Sequence, residues 1–368
     1  MARNKNLSVA KAAKKDEFYT QISDIEKELN HYKKHFKDAH VFCNCDDPEF
    51  SNFWRYFALN FDSFQLKQLT STHYDEGKST YRMDMYRNVP KSALSKETFI
   101  TLEETGITLP IGYITPLEED GDFRSKESIQ ILKKCDIVVT NPPFSMFREY
   151  LNQLIEFEKK FIIMGNNNSI PLKGVFNLIE ENKIWLGYST NKTMEFMVPD
   201  SYPLKGKSTR EDETGIKYIK VPSISWYTNL DIDKRHEEQI LYRNYTPEKY
   251  PSYDNYDAIE VGFVKDIPMD FSGVMGVPIT FMDKYNPNQF DILGVSKTWA
   301  TDFKVKKTKV YTNAKQHYQN GKTKAGGKVN DGAVLAHDKK PEKGIYYTAD
   351  QTTKYLTQTY PRLFIKRK

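Results

Sequence analysis

Apolar residues along this chain fall into two repeating patterns, one helical and one of short continuous runs. Ile22, Ile25, Leu29 and Tyr32 recur at helical spacing and predict a helix beginning near Asp16. HVFCNC (40–45) reads as a strand, FSNFWRYFALNF as a helix with core-facing aromatics, and FQLKQLTSTHY as holding a second strand. After a polar stretch, IGYITPL (111–117) predicts a third strand. SKESIQILKKC (125–135) is an amphipathic helix that leads into the strand DIVVT (136–140). FREYLNQLIEFEK, KFIIMG, VFNLIEEN and KIWLGYS then predict helix, strand, short helix and strand. MEFMVP and SISWYTNL follow as strands with no helix between them, which suits an antiparallel pair at a sheet edge. The alternation predicts an α/β fold: a mostly parallel sheet with helices on both faces.

Beyond about residue 231 the pattern changes. Tyrosine-rich stretches with Pro/Asn turns alternate with short strands, and the closing YPRLFIKRK predicts one more strand. Residues 311–352 are rich in glycine and lysine with few apolar positions, which predicts a flexible surface stretch. Residues 1–15 are basic, small and aperiodic, as in a disordered tail.

Composition narrows the class. The chain of 368 residues is 39% hydrophobic, ample for a buried core. No apolar run approaches the ~20 residues of a membrane span. The basic N-terminus lacks the apolar core of a secretory signal, so a cytoplasmic location is expected. Cys43, Cys45 and Cys135 form neither a CxxC pair nor a zinc spacing, so no metal site is expected and the thiols read as small buried residues. The net charge of +5 is uneven. From Asp302 onward there are 16 Lys/Arg against 5 Asp/Glu, and residues 1–15 carry five bases and no acid. Basic ends around an acidic body fit a polyanionic partner.

The stretch with the most chemical content is DIVVTNPPFSMF (136–147), a strand ending in Asn-Pro-Pro-Phe before a helix. The lone pair of adenine N6 is delocalised into the ring, so the amine is a poor nucleophile. Two hydrogen-bond acceptors on its N–H groups favour the localised, attacking geometry. The side-chain carbonyl of Asn141 and the backbone carbonyl of Pro142 are candidate acceptors. Pro142 and Pro143 fix φ and stiffen the turn, and Phe144 offers a ring face to a base taken out of the stack. In open α/β sheets, ligands bind at the carboxyl ends of the strands, where this motif falls.

With these residues in view, the chain resembles the EcoRI-type adenine-N6 DNA methyltransferases, within the class marked by (D/N/S)PP(Y/F). The resemblance is carried in order by DEFYTQ, VFCNCDDPEFSNFW, GDFRSKES, DIVVTNPPFSMFREY, FIIMGNNNSI, ISWYTNL, VPITFMDKYNPNQFDILG and RLFIKRK, across nearly the whole chain. It implies a Rossmann-like S-adenosylmethionine-dependent fold with a C-terminal target-recognition region. The implied domains are 16–230 for catalysis and cofactor binding and 231–368 for DNA recognition. It further implies that Asn141, Pro142, Pro143 and Phe144 are catalytic, and that Phe18, Tyr19 and Thr20 contact the cofactor. Asp122 and Phe123 would flank the cofactor's adenine, with Asn141 beside it. The usual glycine-rich first motif is missing; CNCDDP stands in its place, and by the resemblance Asn44, Asp46 and Asp47 line the cofactor. From the residues alone, one of these acids would instead cap the helix starting near Pro48. Asp75 is the candidate acid after the second strand.

Trp226 and Tyr227 occupy a strand where the resemblance places an aromatic against the other face of a flipped adenine; Tyr227 is favoured because a phenol can keep one end wet. Lys304, Lys306, Lys307 and Lys309, with Lys366, Arg367 and Lys368, are candidate phosphate contacts on double-stranded DNA. The expected protein is a monomer, with a restriction endonuclease for the same site as functional counterpart. Two other readings compete. The same tetrapeptide serves methylation of protein glutamine or RNA, but the release-factor enzymes would carry a glycine-rich first motif and no long basic C-terminal region. A catalytically silent DNA-binding protein would not need the intact tetrapeptide, and cofactor binding separates it.

Overall fold

The computed structural model describes residues 18–74, 80–87, 97–101, 108–200, 202–204, 208–297 and 304–368. Asp75 and the basic segment 1–15 lie outside them. The chain divides into two units: residues up to Ser169 with Ile184–Ile232, and Ile170–Lys183 with Asp233–Lys368.

The first unit is built on a twelve-stranded sheet. Its strands are β1 (Tyr19–Thr20), β2 (His40–Cys43), β3 (Gln68–Thr72), β4 (Tyr81–Tyr86), β5 (Glu97–Thr101), β6 (Thr108–Pro116), β7 (Ile137–Thr140), β8 (Lys160–Asn166), β9 (Trp185–Leu186), β10 (Lys192–Val198), β11 (Thr209–Glu211) and β12 (Lys217–Thr228). The order is β1-β10-β12-β8-β7-β2-β3-β4-β6-β5, with β9 and β11 also paired to β12. Only the block β8-β7-β2-β3 is parallel. Every other pairing in this sheet is antiparallel, which corrects the expectation of a mostly parallel sheet. The reason is connectivity: parallel neighbours need a long crossover, and among the described residues β3 to β6, and β9 to β12, follow one another with no helix between them.

The helices of this unit are α1 (Ile22–Leu29), the single turn α2 (Lys33–Phe36), α3 (Asn52–Leu59), α4 (Lys126–Lys134) and α5 (Phe147–Glu156). Strand alternation sorts the core. Val41, Cys43, Leu69, Ile137, Val139, Ile162 and Met164 pack with Ile25, Leu29, Phe53, Trp54 and Phe57 of α1 and α3. The intervening positions Phe42, Val138, Phe161 and Ile163 are fully buried on the opposite face, the side of α4 and α5. Burying each large ring of α3 contributes about 2 kcal/mol. Ser51 caps α3 by accepting from the Phe53 N–H at 3.0 Å, and Ser125 caps α4 by accepting from the Ser128 N–H at 3.2 Å.

The second unit holds α6 (Lys173–Glu180), which the sequence pattern assigned to the catalytic region, and two antiparallel-rich sheets. One runs β13 (Ile259–Glu260), β14 (Met275–Pro278), β21 (Arg362–Arg367), β15 (Phe290–Val295). The other comprises β16 (Lys315–His317), β17 (Thr323–Ala325), β18 (Val334–His337), β19 (Tyr346–Ala349) and β20 (Thr352–Gln358), in the order β17-β16-β19-β20-β18. The stretch 311–352, expected to be flexible, therefore carries most of a five-stranded sheet. A few well-spaced residues suffice for its core: Tyr311, Val329, Val334, Tyr347 and Leu356 are buried together, while the lysines that dominate the composition point outward. Among the described residues, no helix is long and apolar enough to cross a membrane.

Candidate active site

The parallel block has the order β3-β2-β7-β8: the chain steps from β2 to β3 on one side, then places β7 on the other. Such a reversal opens a crevice at the carboxyl ends of the two diverging strands. CNCDDP leaves β2 there, and TNPPF leaves β7 there, so topology alone brings the two motifs together.

Local bonds join them. The buried Asp46 carboxylate accepts from the Ser51 hydroxyl at 3.0 Å, from the Thr140 hydroxyl, and from the Asn141 N–H. Desolvation pushes its pKa up to about 7 against these donors. Asp46 was expected to line the cofactor; its carboxylate is turned inward, towards the end of β7 and the cap of α3. The helix itself starts at Asn52 with Ser51 as its cap, while Asp47 caps the turn that begins at Pro48. Asp47 accepts from the Glu49 N–H at 2.9 Å and pairs with His73 at 2.8 Å, and the His73 ring stacks on Tyr81 at 4.9 Å.

Asn141 is 9% exposed. Its Nδ2 donates to the Phe18 carbonyl at 2.7 Å, which fixes the amide and turns Oδ1 the other way. That Oδ1 is buried and has no hydrogen-bond partner among the described residues. Pro143 O is used by the Met146 N–H at 2.9 Å, whereas among the described residues no hydrogen bond engages Pro142 O. Phe144 is half-buried, with its ring 5.7 Å from Phe18 and 6.0 Å from Phe196. Asn44 is held by Tyr150, whose hydroxyl donates to Asn44 Oδ1, and Asn44 Nδ2 is left buried without a partner. Phe123 is buried edge-on to Tyr150 at 5.1 Å. Asp122 is locked to Arg124, whose Nε lies 2.7 Å away. Phe18, Asn44, Asp46, Phe123, Asn141 and Phe144 thus form one connected cluster.

Other expected residues sit elsewhere. Thr20 turns its hydroxyl to Met164 Sδ at 3.3 Å, and Tyr19 places its ring 6.3 Å from Phe50. Tyr227, expected to stack on a base, is fully buried: its hydroxyl donates to Asn166 O at 3.2 Å and its ring lies 4.9 Å from Phe147. Trp226 is equally buried, against Phe53 at 5.9 Å. Alternation required one of them in the core. Both are, because β12 lies inside the sheet with packing on both faces. In the second unit, Lys307 donates to Asn330 O and Lys309 pairs with Asp254 at 2.8 Å, so these two are internal struts; Lys304 and Lys306 are exposed.

Sequence reading missed Thr140, Ser51, Tyr150 and His73. Thr140 and Ser51 lie within the quoted motifs, but nothing in their spacing shows that they converge on one carboxylate.

A buried acceptor thus lies beside the Phe18, Phe144 and Phe196 rings at the carboxyl ends of β2 and β7. Residues 6–368 match the family model described as adenine-specific methyltransferase EcoRI, and the chain belongs to that family. It is 50% identical over 301 residues to the type II methyltransferase M.EcoRI of Escherichia coli, covering 80% of this chain and 90% of that protein. It is also 39% identical over 291 residues to the type II methyltransferase M.MgeORF184P of Mycoplasma genitalium, covering 77% of this chain and 84% of that protein. M.MpnI of Mycoplasma pneumoniae, another type II methyltransferase, is 35% identical over 291 residues, covering 77% and 83%. No solved structure matches the chain. Membership of this family implies a methyl donor.

Proposed function

We propose that this protein methylates the N6 amino group of adenine within a specific double-stranded DNA sequence, with S-adenosylmethionine as donor. The carrying observation is the unpartnered, buried Oδ1 of Asn141, preset by the Phe18 carbonyl. An unmatched buried acceptor costs about 1–3 kcal/mol, so a fold retains one where a ligand's donor completes it. Adenine N6 is such a donor.

The residues present fit the cofactor: Asn44 Nδ2 is a buried donor awaiting an acceptor, and the strand order supplies the crevice. Asn44, Asp47 with His73, and the Asp122–Phe123 pair would hold it, in a Rossmann-like methyltransferase arrangement. When bound, S-adenosylmethionine supplies a methyl group already activated on a sulfonium. Asn141 Oδ1 and Pro142 O accept the two N6 hydrogens and favour the localised lone pair, and Phe144 stacks on the adenine after it leaves the duplex, a step that itself costs a few kcal/mol. The second unit carries target recognition, with Lys304 and Lys306 on phosphates. The protein acts as a cytoplasmic monomer, paired functionally with an endonuclease of the same specificity.

Expression in a methylation-free host, with N6-methyladenine mapped across the genome, tests activity and target together. Asn141→Ala should lower single-turnover methylation about a hundredfold or more while cofactor titration changes little. Normal turnover in that variant would overturn the role given to Asn141.

A further inference from the structure

A set of contacts that joins the two site motifs in the first unit converges on one side chain, Asp46. Three donors reach its carboxylate from three places: Thr140 at the end of β7, Ser51 at the cap of α3, and the Asn141 backbone N–H. Its own carbonyl is gripped from β3 by the Ser71 hydroxyl, which also donates to Cys43 O at 2.9 Å. The residue is 8% exposed, so it reaches substrate only through others.

We propose that Asp46 is the positioning residue of the catalytic corner, its ionised carboxylate orienting the Thr140–Asn141 peptide so that Asn141 Oδ1 faces the adenine amine. The inference rests on the function proposed above. An ionised carboxylate only accepts, and its two oxygens suit three converging donors. An Asn in its place would present an NH2 on one side. The Thr140 and Ser51 hydroxyls can rotate to accept from it, but the Asn141 N–H cannot. A single acceptor oxygen then replaces two, and the charge is gone, so the hold on the peptide that carries the catalytic amide is weakened.

The surroundings favour this role over a purely structural one. Asp47 on the same loop adds a like charge, and the other titratable groups that interact with Asp46 are the thiols of Cys43 and Cys45 and the Tyr150 phenol, all held neutral by burial. Burial raises the Asp46 pKa to about 7. A carboxyl raised on folding stabilises the fold while protonated, and that contribution is lost as pH rises through the folded pKa. The active, ionised form is thus the less stable one.

The test compares Asp46→Asn with wild type and with Asn141→Ala, measuring cofactor affinity, single-turnover rate and melting temperature between about pH 5 and pH 8. The expected result is a rate about tenfold to a hundredfold lower, with cofactor affinity within about threefold. The wild-type rate should rise with pH through about 7 and that of the variant should not. The melting temperature of the variant should gain on wild type as pH rises. Three results overturn the proposal: an unchanged rate while Asn141→Ala is inactive, a loss of cofactor affinity that parallels the loss of rate, or a melting deficit equal at every pH. Normal turnover in Asn141→Ala would instead remove the function on which the proposal rests. If Asp46→Asn does not fold, Thr140→Val removes one donor from the same carboxylate. It should slow the single turnover several-fold with cofactor affinity kept, and an unchanged rate there counts against the proposal.

Discussion

The two ends of the parallel block use similar polar residues and treat them in opposite ways. Near the amino ends, polar groups match one another. His40 Nε2 meets Thr70 Oγ1 at 2.8 Å, Thr70 donates to Asp84 Oδ1 at 2.6 Å, and Gln68 Nε2 donates to the same oxygen at 3.2 Å. The His40 N–H is taken by Asp136 Oδ2 at 2.7 Å. Arg82 Nε lies 3.0 Å from Asp84 Oδ2, although its N–H points off line. A cavity of about 500 Å³ opens there, among Lys67, Arg82, Tyr86, Glu127 and Lys134. At the carboxyl ends, Asn44 Nδ2 and Asn141 Oδ1 are buried without partners. Hollow volume marks one end, and at the other the family motif lies with two buried amide atoms that have no partner among the described residues.

The sharpest way to break this contrast is to cut one polar side chain at each end. Thr70→Val, set beside Asn141→Ala, should lower stability by about 1–3 kcal/mol in a denaturant melt, because Asp84 loses a buried donor. Its single-turnover methylation should stay within about twofold of wild type, against a loss of about a hundredfold or more for Asn141→Ala. Comparable rate losses in both variants would dissolve the distinction.

A second test uses pH. Burial lowers the His40 pKa to about 4 from 6.5. The unfolded chain then takes up a proton between those values that the folded chain refuses. Stability is therefore lost as pH falls from about 6.5 towards 4, by up to roughly 3 kcal/mol. Asp46, at the other end of the same strand, has the opposite sign. His40→Gln should flatten the acid limb of the melting curve and leave the alkaline limb alone. An unchanged acid limb would show that His40 does not carry it.

The smallest effect carries the contrast into the second unit, where Lys307 and Lys309 are matched internally and Lys304 and Lys306 are exposed. Replacing Lys304 or Lys306 by Ala should weaken DNA binding several-fold for any sequence and reduce the salt slope by about one per lysine. Replacing Lys309 should lower the melting temperature with little change in that slope. Equal slopes for all variants would remove the distinction among these lysines.

How far the sequence could be read follows from which forces are local. DIVVT, KFIIMG and SKESIQILKKC announce their structures because burial on two faces or on one stripe is written into neighbouring residues; each matches an observed element closely. The place of Asn-Pro-Pro-Phe between a strand and a helix was legible for the same reason. Strand direction was legible only in part, since it depends on what connects elements far apart: the antiparallel pair of β10 and β12 was expected, whereas the antiparallel run β3-β4-β6-β5 was not. Nor was the inward turn of Asp46. It depends on Thr140, 94 positions further along, and an acid after a strand reads equally well as a ligand contact, a cap or a buried brace. Tyr227 was misplaced because alternation tells which face a residue occupies but not whether that face is covered.

One feature of chain connectivity bears on how such proteins diversify. The backbone passes between the two units three times, and α6 packs on β15 of the second unit although the first unit resumes after it. A recombination breakpoint near residue 232 would exchange most of the second unit but leave α6 behind, facing an unfamiliar neighbour. Point changes leave the second unit whole, whereas a swap of tails at that position would split it.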